Sequence, residues 1–136
     1  MSSGEQNIAL VKGLYAAFAR RDINLILDMI SPDIVWEEPS NPFNPSAGRH
    51  EGKTGFLDWL TIGRECEEIL TLETRKFLAD TGIVVVVGYT ECLAKTTGKS
   101  YKTDFVHLIV LEDGKIRRFQ EFFDTYAAAE AFRKRD

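Results

Sequence analysis

A histidine and a glutamate, His107 and Glu121, fall on the same face of a predicted β-hairpin. Residues 101–124 alternate between two faces, as strands do, and Asp113-Gly114 suits the two left-handed positions of a tight hairpin turn. A titratable pair in an apolar wall costs free energy unless it is partnered or used. The pair therefore predicts an acid–base site, or a buried histidine that only stabilises the two strands.

The same alternation assigns neighbours to that face. In the first hairpin strand Phe105 accompanies His107, and in the second strand Arg117 and Phe119 accompany Glu121. Aromatic side chains in such positions are core residues, ligand contacts or both. We treat Phe105 and Phe119 as candidate substrate contacts.

A second carboxylate that could face the interior is Glu38. It ends a short predicted strand, residues 34–38, just before Pro39, and alternation puts it on the face of Trp36. Carboxylates and imidazoles transfer protons without a metal or organic cofactor, so we expect none. The simpler interpretation of Glu38 is a hydrated carboxylate at a strand end.

Metal binding and nucleophilic catalysis have little support in the sequence. His50 and His107 lack close ligand spacing, and Cys66 and Cys92 lie far apart without a neighbouring histidine. No metal site is expected. His50 ends a long loop and is expected to be an exposed loop residue.

Three helices and one short strand precede four long strands in the predicted order of elements. Apolar residues recur at helical spacing over 4–20, 22–30 and 53–65. Runs rich in β-branched residues predict strands over 70–78 and 83–93, followed by the two hairpin strands and an Ala-rich helix. This order predicts an α+β fold with helices on one face of a curved antiparallel sheet.

The segment between the short strand and the third helix, residues 39–52, holds three of the 4 prolines. A loop of this length is unusual in a compact domain and typically forms a lid, a binding loop or a mobile segment. The sequence leaves these three alternatives open.

Bulk composition restricts the class of protein. With 136 residues and 44% hydrophobic residues, the chain is expected to form one domain over 1–136. The net charge of −4 and the scattered basic residues do not indicate a nucleic-acid-binding surface. No signal peptide or membrane span is expected, because the longest apolar run covers only 83–87. Two cysteines fit a reducing compartment, so we expect a cytoplasmic protein.

Four motifs carry a resemblance to a known family: A-F-A-R-R-D-I (17–23), D-I-V-W-E-E-P (33–39), D-F-V-H (104–107) and D-G-K-I-R-R-F-Q-E-F-F-D-T (113–125). The sequence resembles the SnoaL-like branch of the NTF2-like superfamily, related to ketosteroid isomerases and polyketide cyclases, over nearly its whole length. The resemblance implies a cone-shaped fold. In it three N-terminal helices pack on a strongly curved, mostly antiparallel sheet around a mostly apolar pocket, and a short helix ends the chain. It also implies a homodimer formed through the outer face of the sheet.

By this resemblance seven positions face the pocket: Trp36, Glu38, Trp59, Tyr89, Glu91, His107 and Glu121. Ketosteroid isomerases keep a carboxylate base immediately before a proline, and Glu38-Pro39 is similar with one extra methylene. Where those enzymes hold a helix-1 tyrosine and a protonated aspartate, this sequence has Leu14 and His107. Tyr15 is offset from Leu14 by about 100° around the helix.

Epoxide-hydrolase-like members of the superfamily hold a water between two acids and an arginine. The resemblance assigns the acids to Glu121 and Glu91, with Tyr89 in place of the arginine. The expected activity is therefore a cofactor-independent isomerase, cyclase or hydratase acting on a small apolar carbonyl compound. Glu38 or Glu121 would be the base and His107 its partner. The alternatives are a non-catalytic binding protein for a lipophilic metabolite and an epoxide-hydrolase-like enzyme.

Overall fold

The computed structural model describes residues 3–134, which form four α-helices and six β-strands. The helices are α1 (Gly4–Arg20), α2 (Ile23–Met29), α3 (Gly52–Cys66) and α4 (Thr125–Phe132). The strands are β1 (Ile30–Glu38), β2 (Gly48–Glu51), β3 (Glu67–Asp80), β4 (Ile83–Ala94), β5 (Lys99–Glu112) and β6 (Lys115–Phe123). None of these helices is long and apolar enough to cross a membrane.

Polar side chains fix where three of the helices begin. Ser3 and Gln6 form a capping box at the start of α1. The carboxylates of Asp22 and Asp124 accept backbone N–H groups from the first turns of α2 and α4. Each cap satisfies a donor that the first turn of a helix otherwise leaves without a partner.

The six strands form one sheet in the order β2-β1-β6-β5-β4-β3. Neighbouring strands run antiparallel except β1 and β6, which are parallel. The helices pack on one face of this sheet, and α4 follows the last strand directly. The predicted α+β fold is confirmed, with three N-terminal helices, a mostly antiparallel curved sheet and a short C-terminal helix.

Two segments that were expected to lie outside strands belong to the sheet. β1 begins at Ile30 rather than at residue 34, with a register shift between Ile30 and Val35 that accommodates the irregular stretch 31–33. Residues 48–51, inside the predicted loop, form β2 and pair with β1. Both segments gain their backbone partners from distant parts of the chain, so local periodicity did not reveal them.

The hairpin between β5 and β6 has the predicted turn. Asp113 and Gly114 adopt φ of 52° and 75°, both left-handed. A register shift at 110–111 then interrupts the alternation. As a result Ile116 is fully buried and the side chain of Arg117 is 55% exposed. The prediction that Arg117 faces the interior is wrong because a bulge moves it to the other side.

Buried side chains alternate regularly along β4 and β5. We call the face they occupy, which packs against the helices, the interior face, and the opposite one the outer face. Two apolar clusters cover it. The larger cluster consists of Val11, Leu14, Ala17, Ile26, Ile30, Ile34, Trp36, Phe56, Val84, Val86, Phe105, Ile109, Leu111, Ile116 and Phe119. The smaller cluster consists of Cys66, Cys92, Ala94, Tyr101, Ala128, Ala131 and Phe132.

Candidate active site

The pairing of β5 with β6 sets His107 directly opposite Glu121 on the interior face. Nε2 of His107 lies 2.6 Å from Oε2 of Glu121. The imidazole is 4% exposed and the carboxylate 21%. Because an ionised carboxylate can only accept, Nε2 carries the proton and donates it to Glu121. The two residues that the sequence assigned to one face are therefore in direct hydrogen-bond contact.

The other nitrogen of His107 contacts Tyr15 of α1, which the sequence analysis had set aside. In the neutral imidazole Nδ1 accepts the hydroxyl proton of Tyr15, at 2.5 Å. Leu14, the position suggested by the family resemblance, is fully buried in the core. Burial, and then the charge of Glu121, raises the pKa of Tyr15 above its ordinary value, so the hydroxyl keeps its proton. The sequence feature that could have indicated this contact is the hydroxyl group of Tyr15 on the otherwise apolar stripe of α1, because a buried tyrosine hydroxyl usually finds a hydrogen-bond partner.

Aromatic rings hold the imidazole of His107 in place. The ring of Phe105 stacks on it at 4.2 Å between centroids and 21° between planes, and Phe119 lies at 4.6 Å. The Phe105 ring covers Gly88 of β4, where a Cβ atom would lie 2.3 Å from that ring and 2.3 Å from the carbonyl oxygen of Glu73. Only glycine fits at this position, and the close approach lets Phe105 reach His107.

Glu38 lies beside Glu121 because β1 and β6 run parallel. The register pairs Glu37 with Gln120, so the next residue on each strand follows side by side. Adjacent strands are roughly 4.8 Å apart, which brings the two carboxyl groups close together on the interior face. The whole Glu38 residue is only 8% exposed.

Three donors surround the carboxyl group of Glu38. Oε1 accepts the indole N–H of Trp59 at 2.5 Å and the hydroxyl of Ser46 at 3.1 Å, and Oε2 accepts the amide of Asn44 at 3.0 Å. Burial, and then the charge of Glu121, raises the pKa of Glu38 to about 8, against the lowering effect of the bond from Trp59. Glu38 is thus mostly protonated at neutral pH. Three of its four lone-pair positions are taken, which leaves Oε2 to carry the proton.

The two loop residues at Glu38, Asn44 and Ser46, were not singled out by the sequence analysis. They belong to residues 39–47, whose Asn41 amide donates to the carbonyl of Thr125 at the start of α4, at 3.1 Å. His50, expected to be an exposed loop residue, lies in β2 and its Nε2 is 2.8 Å from the carbonyl oxygen of Ser46. The loop is therefore tied to α4 and β2 and forms one wall around Glu38.

Trp36 and Trp59 occupy different surroundings, although both were candidate substrate contacts. Trp36 is 1% exposed and stacks on Phe119 with ring centroids 3.9 Å apart and an interplanar angle of 3°. Its indole N–H has no hydrogen-bond partner among the described residues. Trp59 lies 4.9 Å from Trp36 between ring centroids and donates to Glu38. Trp59 therefore touches the titratable groups directly, and Trp36 supports them from the core.

Tyr89 and Glu91 do not face the interior. They pair across β4 and β5 with Asp104 and Lys102 on the outer face, and they alternate with the buried residues of β4. The prediction that both line the pocket is wrong, because the start of β4 is apolar on both faces and alternation alone did not distinguish them. The epoxide-hydrolase-like assignment consequently loses Glu91 as its second acid.

The arrangement has a defined chemical capacity. A carboxylate held by an imidazole and a protonated carboxyl group lie side by side, so one can accept a proton while the other donates one. Within residues 3–134, no group of three or more His, Cys, Asp or Glu side chains is placed to hold a metal ion.

Comparison with known proteins identifies the fold and the family. An NTF2-like protein from Burkholderia xenovorans LB400 is 31% identical, with a TM-score of 0.89, 96% of this chain and 98% of that chain being covered. One from Burkholderia thailandensis E264 is 26% identical, with a TM-score of 0.84 and coverage of 98% and 100%. TerC, co-crystallised with polyporic acid, is 30% identical, with a TM-score of 0.80 and coverage of 93% and 97%.

The comparison with curated proteins gives no significant match. The sequence model of the SnoaL-like domain matches residues 11–119, which contain α2, α3 and strands β1 to β5 in full and parts of α1 and β6. The resemblance noted from the four sequence motifs is thereby confirmed, and the chain belongs to the SnoaL-like domain family within the NTF2-like superfamily.

Proposed function

We propose that this protein is an acid–base enzyme that moves a proton on a small, mostly apolar carbonyl compound, as an isomerase, cyclase or hydratase does. The observation that carries the proposal is the hydrogen-bond chain Tyr15–His107–Glu121 beside Glu38. Chemistry of this kind needs only a positioned base and a positioned acid. Both are supplied by the side chains of this chain.

Glu121 is the proposed base. His107 donates to one of its oxygens, and Tyr15 fixes the imidazole from the other side. The carboxylate is 21% exposed against 4% for the imidazole, so it is the more accessible of the two. Glu121 would take a proton from the carbon next to the carbonyl group. The electron pair of that C–H bond would form a C=C bond to the carbonyl carbon, and the π pair of the C=O bond would move onto the oxygen.

Glu38 is the proposed acid. Its raised pKa of about 8 keeps it protonated at neutral pH, and its like-charged neighbour Glu121 contributes to that shift. A neutral carboxyl group can donate a hydrogen bond, or its proton, to an oxygen on which negative charge develops. Two neighbouring carboxyl groups with different protonation states thereby have different roles.

The relatives support a small ligand in the interior. TerC, 30% identical to this chain, was co-crystallised with polyporic acid. A fold shared over 93% of this chain supports the proposal that this chain also takes a small molecule. The apolar clusters on the interior face support a ligand that is mostly apolar.

The test is exchange of carbon-bound hydrogen for deuterium in small enolisable ketones, followed by proton NMR in D₂O. Glu121→Gln keeps the size of the side chain but removes the base, so we expect the exchange rate to fall about 100-fold or more. Tyr15→Phe leaves the base in place and removes the hydrogen bond that orients His107, so we expect a loss of about 10-fold.

The matched control is Glu91→Gln, the same substitution on the outer face of β4, which should leave the exchange rate unchanged. An unaltered rate in Glu121→Gln would show that this residue is not the base. A wild-type protein that binds the ketones but exchanges them no faster than buffer would contradict the enzyme and favour a non-catalytic binding protein.

We also propose that two copies of the chain pair through the outer face of the sheet. The outward side chains of β4 and β5 include Val85, Val87, Val106 and Leu108, which face one another across the two strands. The outward Phe122 of β6 is 46% exposed. An apolar face of this extent is typical of a protein interface.

A further inference from the structure

A second polar group lies on the interior face and has no role in the proposed proton transfer. Tyr101 of β5 is 8% exposed and its hydroxyl donates to Oε2 of Glu67, the first residue of β3, at 2.7 Å. Cys92 of β4 is the cross-strand partner of Tyr101 and is buried on the same interior face. The group sits in the smaller apolar cluster, at the end of the interior near α4.

No described lysine, arginine or histidine forms an ion pair with Glu67. Burial raises the pKa of Glu67, and the hydrogen bond from Tyr101 only partly opposes this. A half-buried carboxyl group without a cation is partly desolvated and gains no ion pair in return, and a hydrophobic residue of similar size would avoid that cost. Since a carboxyl group has about four lone-pair positions, the hydrogen bond from Tyr101 leaves acceptor capacity on Glu67 for a ligand.

Between this group and the proposed active site, the polar side chains of the interior face have no free hydroxyl group to offer a ligand. Thr103 and Thr90 lie on the interior face between the two, and both hydroxyls are used by the backbone. Thr103 donates to the carbonyl of Asp104 at 2.7 Å and accepts the N–H of Asp124 at 2.9 Å. Thr90 donates to the carbonyl of Thr71 at 2.8 Å. Their methyl groups are left to contact a ligand.

The spacing along β5 sets the length of the ligand. Tyr101 and His107 share the interior face and are six residues apart, which is roughly 20 Å along an extended strand. Their long side chains reduce the gap between the polar tips.

An exposed apolar rim lies next to Glu67. Ile69 and Leu72 of β3 pair with the buried Cys92 and Thr90 and so lie on the interior side of the sheet. They are nevertheless 57% and 43% exposed. An apolar rim beside a polar group is suited to the entry of an amphipathic molecule.

We propose that Glu67 and Tyr101 form a second binding subsite, which takes a hydroxyl group at the far end of an elongated and otherwise apolar ligand. The carbonyl end of the same ligand lies at Glu121, so the inference rests on the proposed function. The ligand hydroxyl donates to the carboxyl group of Glu67. The substrate class is thus an elongated, aromatic-like carbonyl compound with a hydroxyl group at the opposite end.

The experiment compares two ketones that differ only in that hydroxyl group, 4-acetyl-4′-hydroxybiphenyl and 4-acetylbiphenyl, by isothermal titration calorimetry. The wild-type protein should bind the hydroxylated ketone about 10-fold more tightly. Glu67→Leu should reduce this preference to about 2-fold or less, because it removes the acceptor of the ligand hydroxyl. Removing a half-buried carboxyl group that has no cation partner should also preserve folding. Tyr101→Phe is a second variant that should reduce the preference.

Equal affinity for the two ketones, no binding of either, or an undiminished preference in Glu67→Leu would overturn the subsite. Measuring deuterium exchange of the acetyl group in the same samples separates this result from the proposed enzyme activity. Exchange without a hydroxyl preference would retain the enzyme and reject the subsite. A preference that depends on Glu67, without exchange, would retain the subsite and reject the enzyme.

Discussion

At the scale of single residues, the site depends on how similar groups are made different by their surroundings. Glu38 and Glu121 are both interior carboxyl groups, but the imidazole of His107 donates to Glu121 only. Glu38 instead accepts hydrogen bonds from neutral donors. It is buried, with 8% of its surface exposed. The first is therefore suited to accept a proton and the second to retain one.

The raised pKa of Glu38 makes a prediction about stability. Its pKa moves from 4.5 to about 8 on folding, so the folded state holds the proton more tightly than the unfolded state does. The associated stability is complete below pH 4.5 and is lost as the pH rises to about 8. In the wild type this loss should amount to roughly 2–5 kcal/mol in the free energy of unfolding, and Glu38→Gln should abolish it. The measurement is the free energy of unfolding in urea between pH 5 and 9.

Glu68→Gln, a change at an exposed position of β3, is the control and should retain the slope of the wild type. If Glu38→Gln showed the same slope as the wild type, the protonated state of Glu38 at neutral pH would be contradicted. The same ionisation should reduce the proposed activity above pH about 8, since the acid would then have lost its proton.

At the scale of elements, strands β3, β4 and β5 must approach closely to orient His107. Gly88 lets the ring of Phe105 lie directly over β4, and that ring stacks on the imidazole. A register shift in β3 between Thr74 and Lys76 accompanies this crowding. A strand glycine here reflects close packing of backbone and ring rather than a turn.

Gly88→Ala should therefore destabilise the protein by about 2–4 kcal/mol, because the new Cβ would overlap a backbone carbonyl that cannot rotate away. Gly63→Ala is the matched control, since nothing lies within 4 Å of a Cβ at that helical position. It should raise stability by roughly 0.5–1 kcal/mol. Both changes are measured by urea denaturation, and a neutral Gly88→Ala would contradict the close approach.

At the scale of the whole molecule, the sheet has two apolar faces and only one is covered by helices. Helices and the larger cluster occupy the interior face, while the outer face carries the valines and leucines of β4 and β5. A sheet that is apolar on both sides is typically covered on both sides. A second copy of the chain would cover the outer face in a closed two-fold arrangement, in which the same surface of each copy is used up.

The proposed homodimer predicts a particle of twice 15.4 kDa in light scattering coupled to size exclusion. Leu108→Glu places two unpaired carboxylates in the proposed interface and should shift the protein to a single-chain mass. Leu57→Glu, at a position of α3 that is 38% exposed, should leave the dimer intact. A wild-type protein of single-chain mass would contradict the pairing.

Several features were determined by the sequence itself because their causes are local. Alternation and the Asp113-Gly114 turn identified the hairpin. A regular two-residue turn would pair His107 with Gln120, however, and the bulge at Arg117 shifts the register so that His107 faces Glu121. Helical periodicity located the three N-terminal helices to within a few residues. The motifs then gave the fold and the family.

Other features were decided only by tertiary structure, because they depend on contacts between distant segments. The parallel pairing of β1 with β6 brings Glu38 next to Glu121, and the packing of α1 on the sheet brings Tyr15 to His107. The sequence could not choose the interior face of β4, so Tyr89 was assigned to the wrong side. Periodicity reports which residues share a face of one element, whereas the partner of that face is set by how the elements pack.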